Sequence, residues 1–295
     1  MQESVDFEWE TIVVDNTPFD DGNATPALDL VRELRLPGLL YYHNRENIGS
    51  GYNWNRGVEL ARGEWICFLH DDDELLPHAL QNLGRQLRAW RGERPLGYVY
   101  ARRVDFTGLL HPDPAAEHRR FPPEPLTRFG FMLSGCTGAG APTCGSAILK
   151  RAFMETGGIN YDYGLSADEV LCYQIMRDYA VILSDHVLGG YRWGDNESLR
   201  VESLIQMIRA DELMSDYAFS ISAFSRWWGK NFGAAISWRN VYRKEKIARQ
   251  YGIKVTKKEL GSVSVYPKPG CFIRTAFFGL YTSYRFARLC VGLFY

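Results

Sequence analysis

Residues 64–69 (EWICFL) constrain the fold more than any other stretch. After the first residue they are continuously apolar, and they run straight into His70-Asp71-Asp72-Asp73-Glu74. A short apolar run of this kind is the pattern of a strand covered on both faces, as in a parallel sheet flanked by helices. Around it, the first 110 residues alternate strand and helix signals. Residues 10–14 (ETIVV) form a β-branched run that stops at Asp15-Asn16. Residues 26–36 place Leu28, Val31 and Leu34 at helical spacing. Residues 39–42 predict a second strand and 53–61 a second helix behind the Gly49-Ser50-Gly51 turn. A long helix starts near Pro77, a residue suited to a first helical turn. This alternation argues for a layered α/β fold with a mainly parallel sheet.

In such a sheet ligands bind beyond the carboxyl ends of the strands. Three acidic signals fall there: Asp15, the run Asp71-Asp72-Asp73, and Asp168. Acids ahead of a helix complement its dipole, which accounts for one or two of them. Four consecutive acids after a buried strand repel one another, and a bound cation relieves that repulsion. Carboxylates are hard oxygen ligands, so Mg²⁺ or Mn²⁺ is the matching ion. Farther along, Ser166-Ala167-Asp168-Glu169 has the capping-box form, which predicts a structural task for Glu169. Asp168 is left in the first helical turn beside Tyr161-Asp162-Tyr163-Gly164, either as a second dipole-matching acid or as a group that substrate reaches.

Hydrophobic residues at 46% and charged residues at 23% exclude a disordered or collagen-like chain. The net charge of −1 conceals an uneven distribution. Residues 1–225 carry 20 Lys/Arg against 33 Asp/Glu, whereas 226–295 carry 14 against 2 and hold 15 of the 41 aromatic residues. A basic, aromatic tail on an acidic body points to an anionic partner for the tail. Six cysteines (67, 136, 144, 172, 271 and 290) show no CxxC pair or zinc-like spacing. With no secretory signal at the start, reduced thiols in a cytosolic protein are expected. No apolar run reaches the length that spans a bilayer, about 18 residues. Residues 105–143 lose the alternation. Six prolines and the glycine-rich 135–140 predict a long irregular loop there, of the kind that is functional or disordered. A strand is expected at 145–149, a helix at 167–179, and helical, increasingly basic sequence beyond 197.

Several motifs occur in order: Glu10-Thr-Ile-Val-Val-Asp-Asn16, Asn47-Ile-Gly49, Asn55-Arg-Gly57, residues 61–73 (ARGEWICFLHDDD), Gly157-Gly158 and Asp168. Together they resemble the family-2 glycosyltransferases with a GT-A fold, across about residues 8–193. The resemblance implies a Rossmann-like, mainly parallel sheet with flanking helices over residues 1–195, followed by a helical, basic and aromatic extension over 196–295. It implies a nucleotide-sugar donor (UDP-, GDP- or dTDP-sugar) and a divalent cation across the carboxyl ends of the sheet. Position by position, Asp15 resembles the acid that contacts the base, and Asp71 with Asp73 the DXD pair, Asp73 as the metal ligand. Asp168 resembles the catalytic base of an inverting transfer. Asn47, Asn55 and Arg192 join the implied donor-binding set, Arg192 being either a charge near the diphosphate or a surface arginine.

The chain departs from that pattern in three places. The usual first strand is missing, a piece of about 25–30 residues by the size of a βα unit. The common Glu-Asp pair reads Ala167-Asp168, and the common Leu-Asp before the metal acids reads Leu69-His70, where His70 is a supporting group or a polar strand end. The expected activity is sugar transfer to a glycan or lipid-linked acceptor in surface polysaccharide synthesis, with no nucleic acid as partner. The alternative is a non-catalytic, truncated GT-A domain that scaffolds a partner. Within residues 270–295, Arg274, Arg285 and Arg288 fall within roughly 60° of one another on a helical wheel. That tail either rests peripherally on the inner face of the cell membrane or packs on the body or a second subunit.

Overall fold

The computed structural model describes residues 2–18, 25–36, 38–107, 111, 113–121, 124–128, 130, 144–193, 200–264 and 266–292, with no side-chain description beyond residue 283. The glycine-rich 135–140, Cys136, Pro112, Pro122, Pro123 and Pro142 lie outside the described residues, as do the side chains of Arg285, Arg288 and Cys290. Among the described residues Cys67, Cys144, Cys172 and Cys271 are free thiols.

Strand β1 (Thr11–Asp15) pairs in parallel with β2 (Leu39–His43), and helix α1 (Pro26–Leu34) connects them. Thr25 caps α1 by accepting from the backbone N–H of Leu28, and Pro26 opens its first turn. Helix α2 (Ser50–Leu60) follows Gly49, whose φ of 82° suits glycine. A second sheet contains β3 (Trp65–Cys67), β4 (Glu74–Leu75), β5 (Leu96–Thr107), β6 (Glu124–Leu126), β7 (Ala147–Leu149) and β8 (Ala180–Trp193). Its order is β3-β7-β5-β8-β4, with β6 on β8. The long central pair β5–β8 is parallel, and the shorter strands pair antiparallel to their neighbours. Fold class agrees with the alternation of the sequence. β5, however, extends through Asp105 to Thr107, three residues into the stretch expected to be irregular.

Helix α3 (Ala79–Ala89) covers one face of this sheet, where Leu83 packs with Leu96, Val99 and Ile182. The other face is covered by α2, α4 (Lys150–Glu155) and α5 (Ala167–Ile175), where Phe153, Leu171 and Ile175 pack on Tyr98 and Ile148. β3 shows the two-sided burial that its sequence requires: Ile66 and Phe68 face the α2 side, Trp65 and Cys67 the α3 side. Two long helices follow, α6 (Val201–Ser220) and α7 (Ala223–Gln250), then α8 (Lys257–Gly261) and α9 (Cys271–Gly292). α6 and α7 pack against each other, and α6 also lies on the 3-10 turn Tyr161–Ser166 that leads into α5.

Candidate active site

A cavity of about 2690 Å³ opens at the ends of β1 and β3 and is lined by Asp15, Asn47, Asp71, Asp72, Asp168 and Lys244 among others. Each wall has a local cause. At the end of β1, burial opposes ionisation of Asp15, but Thr17, Thr25 and Tyr41 hydrogen-bond its carboxyl and hold it well below the usual carboxylate range. Thr25 therefore does two jobs, capping α1 and fixing Asp15. Next to it, Asn47 Oδ1 accepts from Asn16 Nδ2 and from the Gly49 backbone N–H, which ties the β1 end to the entry of α2.

The acidic loop after β3 is organised around Asp73. His70, Asp72 and Asp73 offer ligand atoms all within 4.8 Å of one another. Spacing alone pairs Asp71 with Asp73, but Asp71 is exposed and stands outside this group. The residues grouped with Asp73 are Asp72 and His70. The His70 ring stacks on Trp54 at 5.0 Å between centroids, which sets its orientation, with Nδ1 3.5 Å from Asp73 Oδ2. Asp73 Oδ1 accepts the Arg192 backbone N–H at 3.1 Å, whereas Oδ2 is buried with no hydrogen-bond partner. Burial pushes the Asp73 carboxyl above its ordinary value, against the Arg192 N–H and His70.

Arg192 does not line the cavity. Its Nε donates to the Asp72 carbonyl, its terminal nitrogen to Glu74 Oε1, and its guanidinium lies over the Phe106 ring. In this structure Arg192 braces the acidic loop. Asn55, expected in the donor-binding set, is likewise engaged by the protein's own backbone. It is absent from the cavity wall, and its amide both donates to the Ile159 carbonyl and accepts the Ile159 N–H. That clamp needs the neighbouring Gly158, where φ is 80° and a Cβ would come within 2.7 Å of Asn55 Oδ1.

Asp168 stands in the first turn of α5, half-buried on the cavity wall, with Oδ1 accepting the Glu169 N–H. Burial pushes its carboxyl up to about 7, against that N–H, Lys244 and Arg103. The capping box is not formed. Ser166 makes no side-chain cap and donates instead to Asp211 Oδ1 of α6 at 3.4 Å. Glu169 Oε2 is buried without a hydrogen bond, and burial beside Asp211 and Asp168 raises its carboxyl well above the ordinary range. Lys244 of α7 answers this acidic group, 3.7 Å from Asp211 Oδ2. Arg243, Lys244, Arg103 and Tyr251 also line the cavity and were not singled out from sequence. Only the basic composition of 226–295 hinted that α7 brings positive charge to an acidic body.

A sequence profile described as "Glycosyl transferase family 2" matches residues 4–157, just over half of the chain. The chain belongs to glycosyl transferase family 2. Within curated family relatives it is 27% identical over 223 residues to the succinoglycan biosynthesis protein ExoO of Rhizobium meliloti, covering 69% of this chain and 58% of ExoO. Across the curated relatives it matches, the chain spans between 25% and 58% of their lengths. Among solved structures it is similar to residues 1–349 of S. aureus TarS in complex with UDP, with a TM-score of 0.54, 17% identity, and coverage of 88% and 70%. The mannosyltransferase PcManGT from Pyrobaculum calidifontis, in complex with GDP-Man and Mn²⁺, gives a TM-score of 0.50 at 16% identity, covering 96% of this chain and 77% of that one. These likenesses establish the GT-A fold of the family-2 chain.

Proposed function

We propose that this family-2 chain transfers a sugar from a nucleoside-diphosphate donor to an acceptor hydroxyl in surface polysaccharide synthesis, with inversion at the anomeric carbon. The observation that carries the reading is Asp73 Oδ2, a buried carboxylate oxygen without a hydrogen bond, grouped with His70 and Asp72 below a cavity that Asp168 also lines. A buried, unsatisfied carboxylate oxygen is costly unless a cation completes it. His70, Asp72 and Asp73 fit a divalent cation, Mg²⁺ or Mn²⁺, as two oxygen ligands and one imidazole nitrogen. When bound, the ion supplies positive charge to a diphosphate leaving group without any proton transfer.

The chain's own residues do the rest. Asp168, with its carboxyl near neutrality, accepts the proton of the acceptor hydroxyl as that oxygen forms its bond to the anomeric carbon. The bond from that carbon to the diphosphate breaks, and the electron pair departs with the nucleoside diphosphate. Lys244 and Arg103, which line the same cavity, oppose the effect of burial on Asp168 and keep part of this base ionised. Support for a nucleotide donor comes from the UDP and GDP-Man named in the complexes of the two structural neighbours. Support for a polysaccharide setting comes from the ExoO relative.

The reading places the enzyme on the cytoplasmic side of the membrane, resting there through its tail. Among the described residues no helix is long and apolar enough to cross a membrane. Phe272 and Phe278 of α9 are 84% and 66% exposed, and Trp227 of α7 is 54% exposed, on the segment with the large positive excess. Aromatic side chains beside basic ones are what an anionic lipid surface takes up. The test of the catalytic reading is Asp73→Asn in calorimetric titrations with UDP and GDP in the presence of Mn²⁺. Loss of cation-dependent nucleotide binding in the folded variant supports the reading, and unchanged binding overturns it.

A further inference from the structure

Helix α7 turns two faces to different surroundings. Arg243, Lys244, Ile247 and Gln250 line the cavity. At about 100° per residue, Trp238, Tyr242 and Glu245 fall on the opposite side of the helix. There the Trp238 and Tyr242 rings are stacked, 6.1 Å between centroids and 12° from parallel. The Lys257 ammonium of α8 lies over both rings, 3.8 Å from the centre of Trp238 and 4.9 Å from that of Tyr242. The Arg274 guanidinium of α9 lies over the same Trp238 ring at 5.2 Å. Lys268, just ahead of α9, is close enough to act on this group. Burial lowers the pKa of Lys257 from its ordinary value, Glu245 opposes that, and Lys268, Arg274 and Arg249 lower it further. These charges are not balanced. Glu245 Oε1 already accepts from the Arg249 guanidinium and from the Lys257 backbone N–H, at 2.9 Å each. Among the described residues the side chains of Lys257, Lys268 and Arg274 have no carboxylate at ion-pair distance, and Arg274 Nε is buried with no hydrogen-bond partner. A cation–π contact holds a cation in place without neutralising it. Like charges held together repel, and a buried N–H without an acceptor is costly. A bound anion relieves both.

We propose that Lys257, Lys268 and Arg274 form a binding site for a phosphoryl group, floored by Trp238 and Tyr242 and separate from the cavity that holds Asp168. A phosphoryl group matches these donors better than a carboxylate does. It presents three acceptor oxygens and up to about two negative charges to cations that arrive from separate segments. Arg274 supplies the fixed fork, and the two lysines supply point charges on flexible stems. Tyr242 is 49% exposed, so the floor extends beyond the cations toward the body that carries the phosphate. Both a lipid headgroup and a soluble phosphorylated sugar bring that chemistry. The site stands on these contacts and does not depend on the glycosyl-transfer reading.

The test uses the whole chain with inorganic phosphate as the probe, read by NMR at the Trp238 indole N–H, which is assigned by its loss in Trp238→Phe. At constant ionic strength phosphate should shift that signal saturably where chloride does not. Lys257→Gln and Arg274→Gln should each weaken the binding about tenfold. Lys268→Gln should do the same, and because Lys268 is exposed it leaves the packing around Trp238 intact. Lys230→Gln removes an exposed charge elsewhere on α7 and should change nothing. Glycerol 3-phosphate in solution and vesicles of phosphatidylglycerol then separate the two sources. Vesicle binding that weakens in Lys268→Gln assigns the site to lipid headgroups. Vesicle binding that is unchanged in Lys268→Gln, with glycerol 3-phosphate held as inorganic phosphate is, assigns it to a soluble phosphorylated ligand. No saturable shift, a shift that survives in all three variants, or equal weakening by Lys230→Gln overturns the site.

Discussion

Replacing Asp168 by Asn separates catalysis from stability. The carboxyl rises from 3.8 to about 7 because the fold strips it of water, so the native state holds its proton across a pH range in which the unfolded chain has released it. More protons on the folded state mean that stability falls as pH rises. The contribution is whole below about pH 4 and is lost as pH passes through about 7. At 1.36 kcal/mol per pH unit the full shift corresponds to about 4 kcal/mol, an upper bound. Asp168 retains part of its surface, and Lys244 and Arg103 are already near, so we expect about 1–2 kcal/mol. Asn keeps an oxygen for the Glu169 N–H but carries no charge to desolvate. Urea unfolding should find Asp168→Asn more stable than the parent by that amount at pH 8.5 and equal to it near pH 4, with turnover abolished at both. A variant less stable than the parent at pH 8.5, or a difference that does not change with pH, refutes the reasoning.

Other substitutions read the remaining parts of the site. Asp72→Asn should weaken Mn²⁺-dependent nucleotide binding nearly as much as Asp73→Asn, while Asp71→Asn leaves it close to normal in the same calorimetry. The pH profile of kcat/KM should rise through an apparent pKa near 7, and a flat profile from pH 5 to 9 would remove Asp168 as the base. Gly158→Ala should cost roughly 2 kcal/mol or more in thermal unfolding, since its φ of 80° and the approach to Asn55 Oδ1 both oppose a side chain. Phe272→Ser with Phe278→Ser should release the protein from vesicles containing anionic lipid at low salt while leaving its unfolding unchanged; retained binding would favour packing of α9 on another protein.

Much of the fold was legible because burial on both faces leaves a plain mark. The apolar run at 64–69 and the helix spacing of 26–36 needed no partner to be read. β5 was not singled out from sequence, and its far end falls in the stretch expected to be irregular, because Arg102, Arg103 and Asp105 look like loop residues. They are compatible with a strand here since β8 pairs them in parallel and Arg103 lies over the Tyr191 ring. In the site, residue types were readable but directions were not. Asp71, Asp72 and Asp73 are chemically alike in sequence, and only the turn after β3 decides which two face each other. Ser166 fits a capping pattern, yet Asp211, 45 residues later, competes for its hydroxyl. Arg192 and Asn55 likewise have partners more than 100 residues away, which no local motif encodes.

The central claim, that this chain binds a nucleoside diphosphate through a cation held by its acidic loop, is tested most directly by one calorimetric titration. UDP and GDP are each titrated into the protein with Mn²⁺ and again with excess chelator. The account predicts binding of at least one nucleotide with Mn²⁺, its loss under chelation, and its loss in Asp73→Asn. Nucleotide binding that is equal with and without the cation, and unaltered in Asp73→Asn, would contradict it.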